Sequence, residues 1–287
     1  MYFSGGSERI KILRSGARMP GIGFGTYQIK DTKIIEMAIQ VGYRHFDTAS
    51  SYGNERVIGD AIRNSGIDRD KFFITTKLWP TDFGYINTLN AIDRSLYELQ
   101  TDYIDLYLIH WPKDPNGDMQ DESWRKLNQE SWRAIEDSYS WGKIHAMGVS
   151  NFLPHHIFNL METAKELPMI DQLEIHPGMP QKVMYDFCVE FGLFLEAWSP
   201  LGRGRVLNDP LIKELAKKYN KNEGQICIAF CTAQGIVPLP KASTLQRMKE
   251  NLAADDFEFK DYDMERLLTM PPMGWSGEHP DRKKVEV

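Results

Sequence analysis

The chain has 287 residues, 42% hydrophobic and 26% charged, with a formal net charge of −6. Those proportions are ordinary for a globular protein and exclude wholesale disorder or a fibrous chain. The acidic balance argues against a protein built as a whole to coat nucleic acid or an anionic membrane, so any anionic ligand needs a local basic cluster.

The opening MYFSGGSERI has neither a basic start before an apolar stretch nor an Arg-rich amphipathic pattern, so no signal or transit peptide is expected. From Arg9 to Pro20, RIKILRSGARMP predicts two short strands around a Ser15-Gly16 turn, a hairpin capping a barrel floor. Eight short apolar runs follow: PGIGFGT from Pro20, YRHFDTA from Tyr43, FFITTKL from Phe72, YIDLYLIHW from Tyr103, AMGVSN from Ala146, LEIHP from Leu173, FLEAWSP from Phe194 and GIVPLPKA from Gly235. Between them apolar residues return every three or four positions, as at Ile34, Ile35, Ala38 and Ile39, or Leu89, Ile92, Leu96 and Leu99, the spacing of amphipathic helices. Asn54 with Glu55, and Pro154, mark helix starts.

No linker or low-complexity stretch divides the chain, and the polar segment from Pro112 to Asn128 reads as a long loop. Eight strand-then-helix units predict one α/β domain over residues 1–287, a single (β/α)8 TIM barrel with a short N-terminal β-hairpin and a C-terminal loop. The strongest apolar run, Tyr103 to Trp111, is broken by Asp105 and falls short of the roughly 18 residues of a spanning helix, so a soluble protein is expected. Cys188, Cys227 and Cys231 form no CxxC pair and leave an odd thiol, which suits a reducing cytoplasm. Cys227 and Cys231, one helical turn apart, read as buried small hydrophobes rather than a metal or redox pair.

Polar residues sit where the apolar runs end: Thr26, Asp47, Lys77, His110, Ser150 with Asn151, Ser199 and Lys241, with Gln172 and Glu174 flanking the sixth run. In a (β/α)8 barrel these ends converge on the face that carries active sites. Asp47, Tyr52, Lys77 and His110 come from three different strand ends or the loops after them and are expected to form a proton-transfer set. A phenol with an unperturbed pKa near 10 is a poor acid. An adjacent ammonium from Lys77 is expected to lower that value, Asp47 to hold the ammonium, and His110 to donate to a carbonyl oxygen. Such a set protonates the alkoxide that develops as a hydride adds to an aldehyde or ketone. Singly, each residue also fits a structural role: Asp47 a cap, Tyr52 a rim aromatic, Lys77 an ion pair, His110 a satisfied core histidine.

The stretches GYRHFDTASSYGNE (Gly42 to Glu55), ITTKLW (Ile74 to Trp79), DYIDLYLIHWP (Asp102 to Pro112), GVSNF (Gly148 to Phe152) and LPKASTLQRMKEN (Leu239 to Asn251) occur in the order and at spacings compatible with the aldo-keto reductases. Across nearly its whole length the sequence resembles that family, in particular its bacterial diketo-gluconate reductase-like members. The resemblance implies Tyr52 as general acid completed by Asp47, Lys77 and His110, and NADPH as cofactor. It further implies Ser150, Asn151 and Gln172 on the nicotinamide carboxamide and Trp198, where many members have tyrosine, stacked on the ring. Thr26, Asp47, Ser199 and Leu201 belong to the implied cofactor site, with SPLGRGR (Ser199 to Arg205) along the pyrophosphate.

Lys241 and Arg247 flank the predicted start of the last helix, and their charge suits the 2′-phosphate of NADP. Ala242 stands where the family commonly has serine, with hydroxyls following at Ser243 and Thr244; Asn251 closes this implied set. Tyr27, Trp79 and Trp111, with His110, are expected to line a mouth for a small-molecule carbonyl substrate. The polar tail Met273 to Lys284 resembles the last loop of bacterial members, and a monomer with no metal, nucleic-acid or membrane partner is expected.

GIGFGT (Gly21 to Thr26), with Asp47 about 20 residues on, resembles a Rossmann fingerprint, but Thr26 replaces its last glycine and no helix opens after it. Two other functions remain open: a non-catalytic NADP-binding barrel acting as a regulatory or binding subunit, and a metal-dependent hydrolase using Asp47, Asp105, His110 and His176. His155, His156 and His279 have no evident partner at metal-ligand spacing.

Overall fold

A computed structural model describes residues 10–286. The stretch before Ile10, read above for targeting signals, lies outside them. Strands β1 (Ile10–Ile12) and β2 (Arg18–Pro20) form the expected antiparallel hairpin. From its turn the Arg14 guanidinium donates to the carbonyls of Leu167 and Pro168 at 2.8 and 2.9 Å and of Gly192 at 3.1 Å. These carbonyls lie where the chain enters two barrel strands, so the hairpin closes the floor.

Eight parallel strands follow: β3 (Phe24–Gly25), β4 (His45–Asp47), β5 (Phe73–Leu78), β6 (Leu106–Ile109), β7 (Met147–Ser150), β8 (Ile170–Glu174), β9 (Phe194–Trp198) and β10 (Val237–Pro238). Each pairs with its neighbour in sequence. Their residues are almost all buried on both faces, as a parallel sheet wrapped by helices requires. Across the seam the Gly23 and Gly25 amides donate to the carbonyls of Pro238 and Pro240 at 3.0 and 3.1 Å, bringing the last strand onto the first and closing the (β/α)8 barrel. A Cβ on Gly25 would stand 2.7 Å from the Leu239 carbonyl oxygen. The glycines of GIGFGT therefore serve close approach of two backbones at this seam, not a phosphate loop.

Helices α1 (Thr32–Val41), α2 (Glu55–Ser65), α3 (Tyr85–Leu99), α4 (Trp124–Ser140), α5 (Pro154–Met161), α6 (Lys182–Phe191), α7 (Pro210–Tyr219), α8 (Glu223–Thr232), α9 (Leu245–Leu252) and α10 (Asp261–Leu268) follow the strands. The apolar positions read from the sequence face inward: Ile35, Ala38 and Ile39 of α1 are buried, as are Ile92 and Leu99 of α3. Asn54 and Pro154 stand at the predicted starts of α2 and α5. Residues 225 to 231 of α8 are all buried, and Cys188, Cys227 and Cys231 are free thiols in the core. Among the described residues no helix is long and apolar enough to cross a membrane.

Three boundaries differ from the sequence reading. β8 begins at Ile170, because Asp171 and Gln172 interrupt the apolar pattern that marks a strand. The long loop ends at Ser123, where Asp121 accepts from the Ser123 amide and hydroxyl, and α4 starts four residues before Asn128. The helix after Lys241 is α9, and α10 follows it, so it is not the last.

Candidate active site

Asp47 ends β4, Lys77 lies near the end of β5, and His110 directly follows β6. Tyr52 closes a single 3-10 turn, Ser50–Tyr52, tied to β5 by the Ser50 hydroxyl, which donates to the Lys77 carbonyl at 2.9 Å. Strand pairing thus delivers all four side chains to one end of the barrel. Lys77, fully buried, donates to both Asp47 carboxylate oxygens at 2.7 and 2.8 Å and to the Thr48 carbonyl at 2.8 Å. Its ammonium stands 5.3 Å from the Tyr52 ring centroid. The Tyr52 ring meets His110 edge to face at 5.6 Å and Tyr27 at 5.0 Å, and Trp79 packs on the other side of His110 at 5.1 Å. Trp111 is buried and Tyr27 exposed beside this cluster.

The electrostatics depart from the sequence expectation in one respect. The phenol is not acidic at rest: all three Lys77 N–H groups go to Asp47 and Thr48, and burial, followed by the charges of Asp47, Tyr27 and Glu278, pushes Tyr52 well above 10, with Arg203 opposing. The resting phenol is a firmly held proton. Burial, then the Lys77 charge, holds His110 well below 6.5, so its imidazole is neutral, with Nδ1 unpartnered. A neutral imidazole offers one N–H donor beside a protonated phenol, and both point to an oxygen that gains negative charge.

Above β7, β8 and β9 lies a connected amide network. Gln172 Nε2 donates to Asp47 Oδ1 at 2.8 Å and to Glu196 Oε2 at 2.8 Å. Ser150 Oγ donates to the Gln172 carbonyl at 2.8 Å, and Asn151, in the left-handed region at φ 61°, donates to the His110 carbonyl at 3.0 Å. The Trp198 indole N–H donates to Asn151 Oδ1 at 2.9 Å. Thr26 is fully buried, its hydroxyl donating to the Asp47 carbonyl at 2.8 Å.

Around the mouth stand exposed cations in a chain whose net charge is negative: Arg203 and Arg205 on the loop opened by Ser199 and Leu201, and Lys241 and Arg247 across α9. Lys241 reaches Gln28 Oε1 at 3.4 Å, next to the mouth residue Tyr27. Ser243 and Thr244 are exposed; Thr244 Oγ1 caps α9 by accepting from the Arg247 amide at 3.4 Å, and Asn251 is buried on that helix. A half-buried indole, an amide network and these cations fit a flat ring joined to phosphates.

The metal-hydrolase set does not converge. Asp105 precedes β6 and pairs with Arg69 at 2.6 Å, at the opposite end of that strand from His110. His176 lies against Glu174, 3.6 Å away.

Two features had little sequence signal. Glu196, fully buried in β9, sits beside Gln172 across the β8–β9 pairing. The tail folds over the site: Glu174 accepts from the Ser276 amide and hydroxyl at 2.9 and 2.6 Å, and Glu278 pairs with Arg203 at 3.1 Å, whose guanidinium lies 5.8 Å from the Trp198 ring. The tail also brings Asp281 to His155 and His156, at 3.2 and 3.1 Å. His156 Nδ1 accepts from the Leu153 amide, leaving its proton on Nε2, so a neutral imidazole donates to Asp281, and one ligand atom from each of His155, His156 and Asp281 lies within 4.8 Å of the others.

Residues 21–269 match the family model described as Aldo/keto reductase family. The chain is 41% identical to the uncharacterized oxidoreductase YtbE of Bacillus subtilis (strain 168), over 89% of this chain and 90% of that protein. It is 40% identical to a glyoxal reductase of the same organism, over 94% and 95%. A solved structure of a Gox0644 variant in complex with NADPH superposes with a TM-score of 0.87 at 31% identity, covering 96% of this chain and 98% of that one.

Proposed function

We infer the reaction from a premise now established: the chain belongs to the Aldo/keto reductase family. It is an NADPH-dependent reductase of aldehydes or ketones. When bound, NADPH supplies the hydride. Ser150, Asn151 and Gln172 would hold its carboxamide, Trp198 would face its ring, the loop from Ser199 to Arg205 would follow its pyrophosphate, and Lys241 and Arg247 would take its 2′-phosphate. Tyr52 then gives its proton to the carbonyl oxygen as negative charge develops there, and His110 donates a hydrogen bond to the same oxygen.

The observation that carries this reading is the buried Lys77–Asp47 pair set against Tyr52 and His110. A protonated phenol that releases its proton only when an alkoxide forms beside it needs no acidity in the resting enzyme. As Tyr52 loses its proton, Lys77 is the cation placed to stabilise the phenolate. Tyr27, Trp79 and Trp111 form the apolar wall against which the carbonyl compound rests.

Three buried free thiols support a reducing cytoplasm, and we take the enzyme to act as a monomer. The test is oxidation of NADPH against NADH, followed by absorbance, across a panel of aldehydes and ketones that includes glyoxal. Turnover with NADPH is expected. NADPH binding without turnover of any member would instead favour a non-catalytic cofactor-binding barrel.

A further inference from the structure

Gln172 and Glu196 are paired in register on β8 and β9, and both point into the barrel beneath the catalytic end. The Gln172 amide nitrogen has two hydrogens, and both are committed: one to Asp47 Oδ1 and one to Glu196 Oε2, each at 2.8 Å. An amide held by both N–H groups has only its Oε1 lone pairs left to offer. Without Glu196 one N–H would lose its partner, and Asp47 alone would be left to orient the amide, which could swing about that single contact and carry its oxygen out of line.

Glu196 packs over a second buried polar group. Its other oxygen makes no hydrogen bond but lies 3.5 Å from His45 Nε2, and that nitrogen lies 3.1 Å from the Thr75 hydroxyl. His45 is buried and wedged edge-on against Phe73 at 4.9 Å. A polar column therefore runs from Thr75 through His45, Glu196 and Gln172 to Asp47 and Lys77.

We propose that Glu196 is a positioning residue that locks the Gln172 side chain with its carbonyl toward the cofactor, so that the site accepts an N–H from the nicotinamide carboxamide and discriminates against rings that lack one. The proposal rests on the cofactor reading above. Burial, then the Asp47 charge, pushes Glu196 up to about 8, so at neutral pH the bridge spans one carboxylate and one carboxylic acid. The single negative charge at Asp47 is answered by Lys77.

The test compares dissociation constants for NADP and its acetylpyridine analogue, measured by quenching of tryptophan fluorescence without substrate. The analogue keeps the carbonyl oxygen and replaces the NH2 with methyl, so it reports the hydrogen bonds the carboxamide N–H groups make, Gln172 Oε1 being the acceptor whose orientation Glu196 sets. The wild type is expected to prefer NADP by about tenfold, the worth of one such bond. Glu196→Gln retains an acceptor for the Gln172 N–H and should keep that preference; Glu196→Leu should reduce it to within about threefold.

A tenfold preference surviving in Glu196→Leu overturns the proposal, as does its loss in Glu196→Gln or its absence in the wild type. If Glu196→Leu does not fold, the Gln variant decides on the same terms. A wild type that binds neither dinucleotide would refute the cofactor reading itself, an outcome distinct from binding without discrimination.

Discussion

Replacing Glu196 by glutamine removes one buried titration that makes stability change between pH 5 and pH 8. A glutamate in the unfolded chain ionises near its ordinary value of 4.5, whereas the fold holds the Glu196 proton to about 8. Between those two values the unfolded state binds fewer protons than the folded one, so stability falls as pH rises. The contribution is complete below about 4.5 and lost once pH passes about 8.

Each pH unit of that gap is worth about 1.4 kcal/mol, so the wild type should lose roughly 4 kcal/mol relative to Glu196→Gln from pH 5 to pH 8. At this chain length 1 kcal/mol moves Tm by about 2 °C, giving a relative shift of about 8 °C. His45, held down to about 3 by burial, acts in the opposite sense below its ordinary 6.5, which is why the difference between the proteins, not the wild-type curve alone, carries the answer. Thermal melts of both proteins at pH 5, 6, 7 and 8 make the measurement. Parallel Tm curves across that range would mean that Glu196 ionises normally, refuting the account of the buried column.

Lys77→Met strands the Asp47 carboxylate without its cation and should cost about 3–5 kcal/mol of stability by urea denaturation, with turnover falling in parallel; unchanged stability would contradict the role given to the pair. Gly25→Ala places a methyl 2.7 Å from the Leu239 oxygen at the barrel seam and should cost at least about 1–3 kcal/mol, read as a lower denaturation midpoint. Lys241→Ala combined with Arg247→Ala should weaken NADPH at least about tenfold more than NADH by fluorescence titration. Equal losses for the two cofactors would show that neither side chain reads the phosphate.

The barrel was legible because each parallel strand, buried on both faces, reads as a short apolar run, and the catalytic candidates were legible because polar residues end those runs. Asp47, Lys77 and His110 stand out in this way, and the structure does gather them around Tyr52. Glu196 does not stand out: within FLEAWSP it looks like an ordinary charged residue of alternating pattern until the register sets it against Gln172. Asp171 and Gln172 hid the start of β8 for a related reason, since polar residues in a barrel interior break the apolar signature of a strand. Asp281, which joins His155 and His156, is more than a hundred residues distant, and only the folded tail brings it there.

The acidity of the phenol was misjudged on a different ground. Proximity of Lys77 to Tyr52 follows from strand order, but how an ammonium divides its three hydrogens depends on which acceptors lie nearest. Asp47 and Thr48 take them. With burial unopposed by a direct contact from Lys77, the phenol keeps its proton.

The central claim is that this proton goes to the substrate. Single-turnover reduction of an aldehyde by Tyr52→Phe, with NADPH affinity measured on the same preparation, tests it most directly. The account predicts a rate lowered at least about 100-fold with the NADPH dissociation constant changed by less than about twofold. Reduction at a rate near that of the wild type would show that another group supplies the proton.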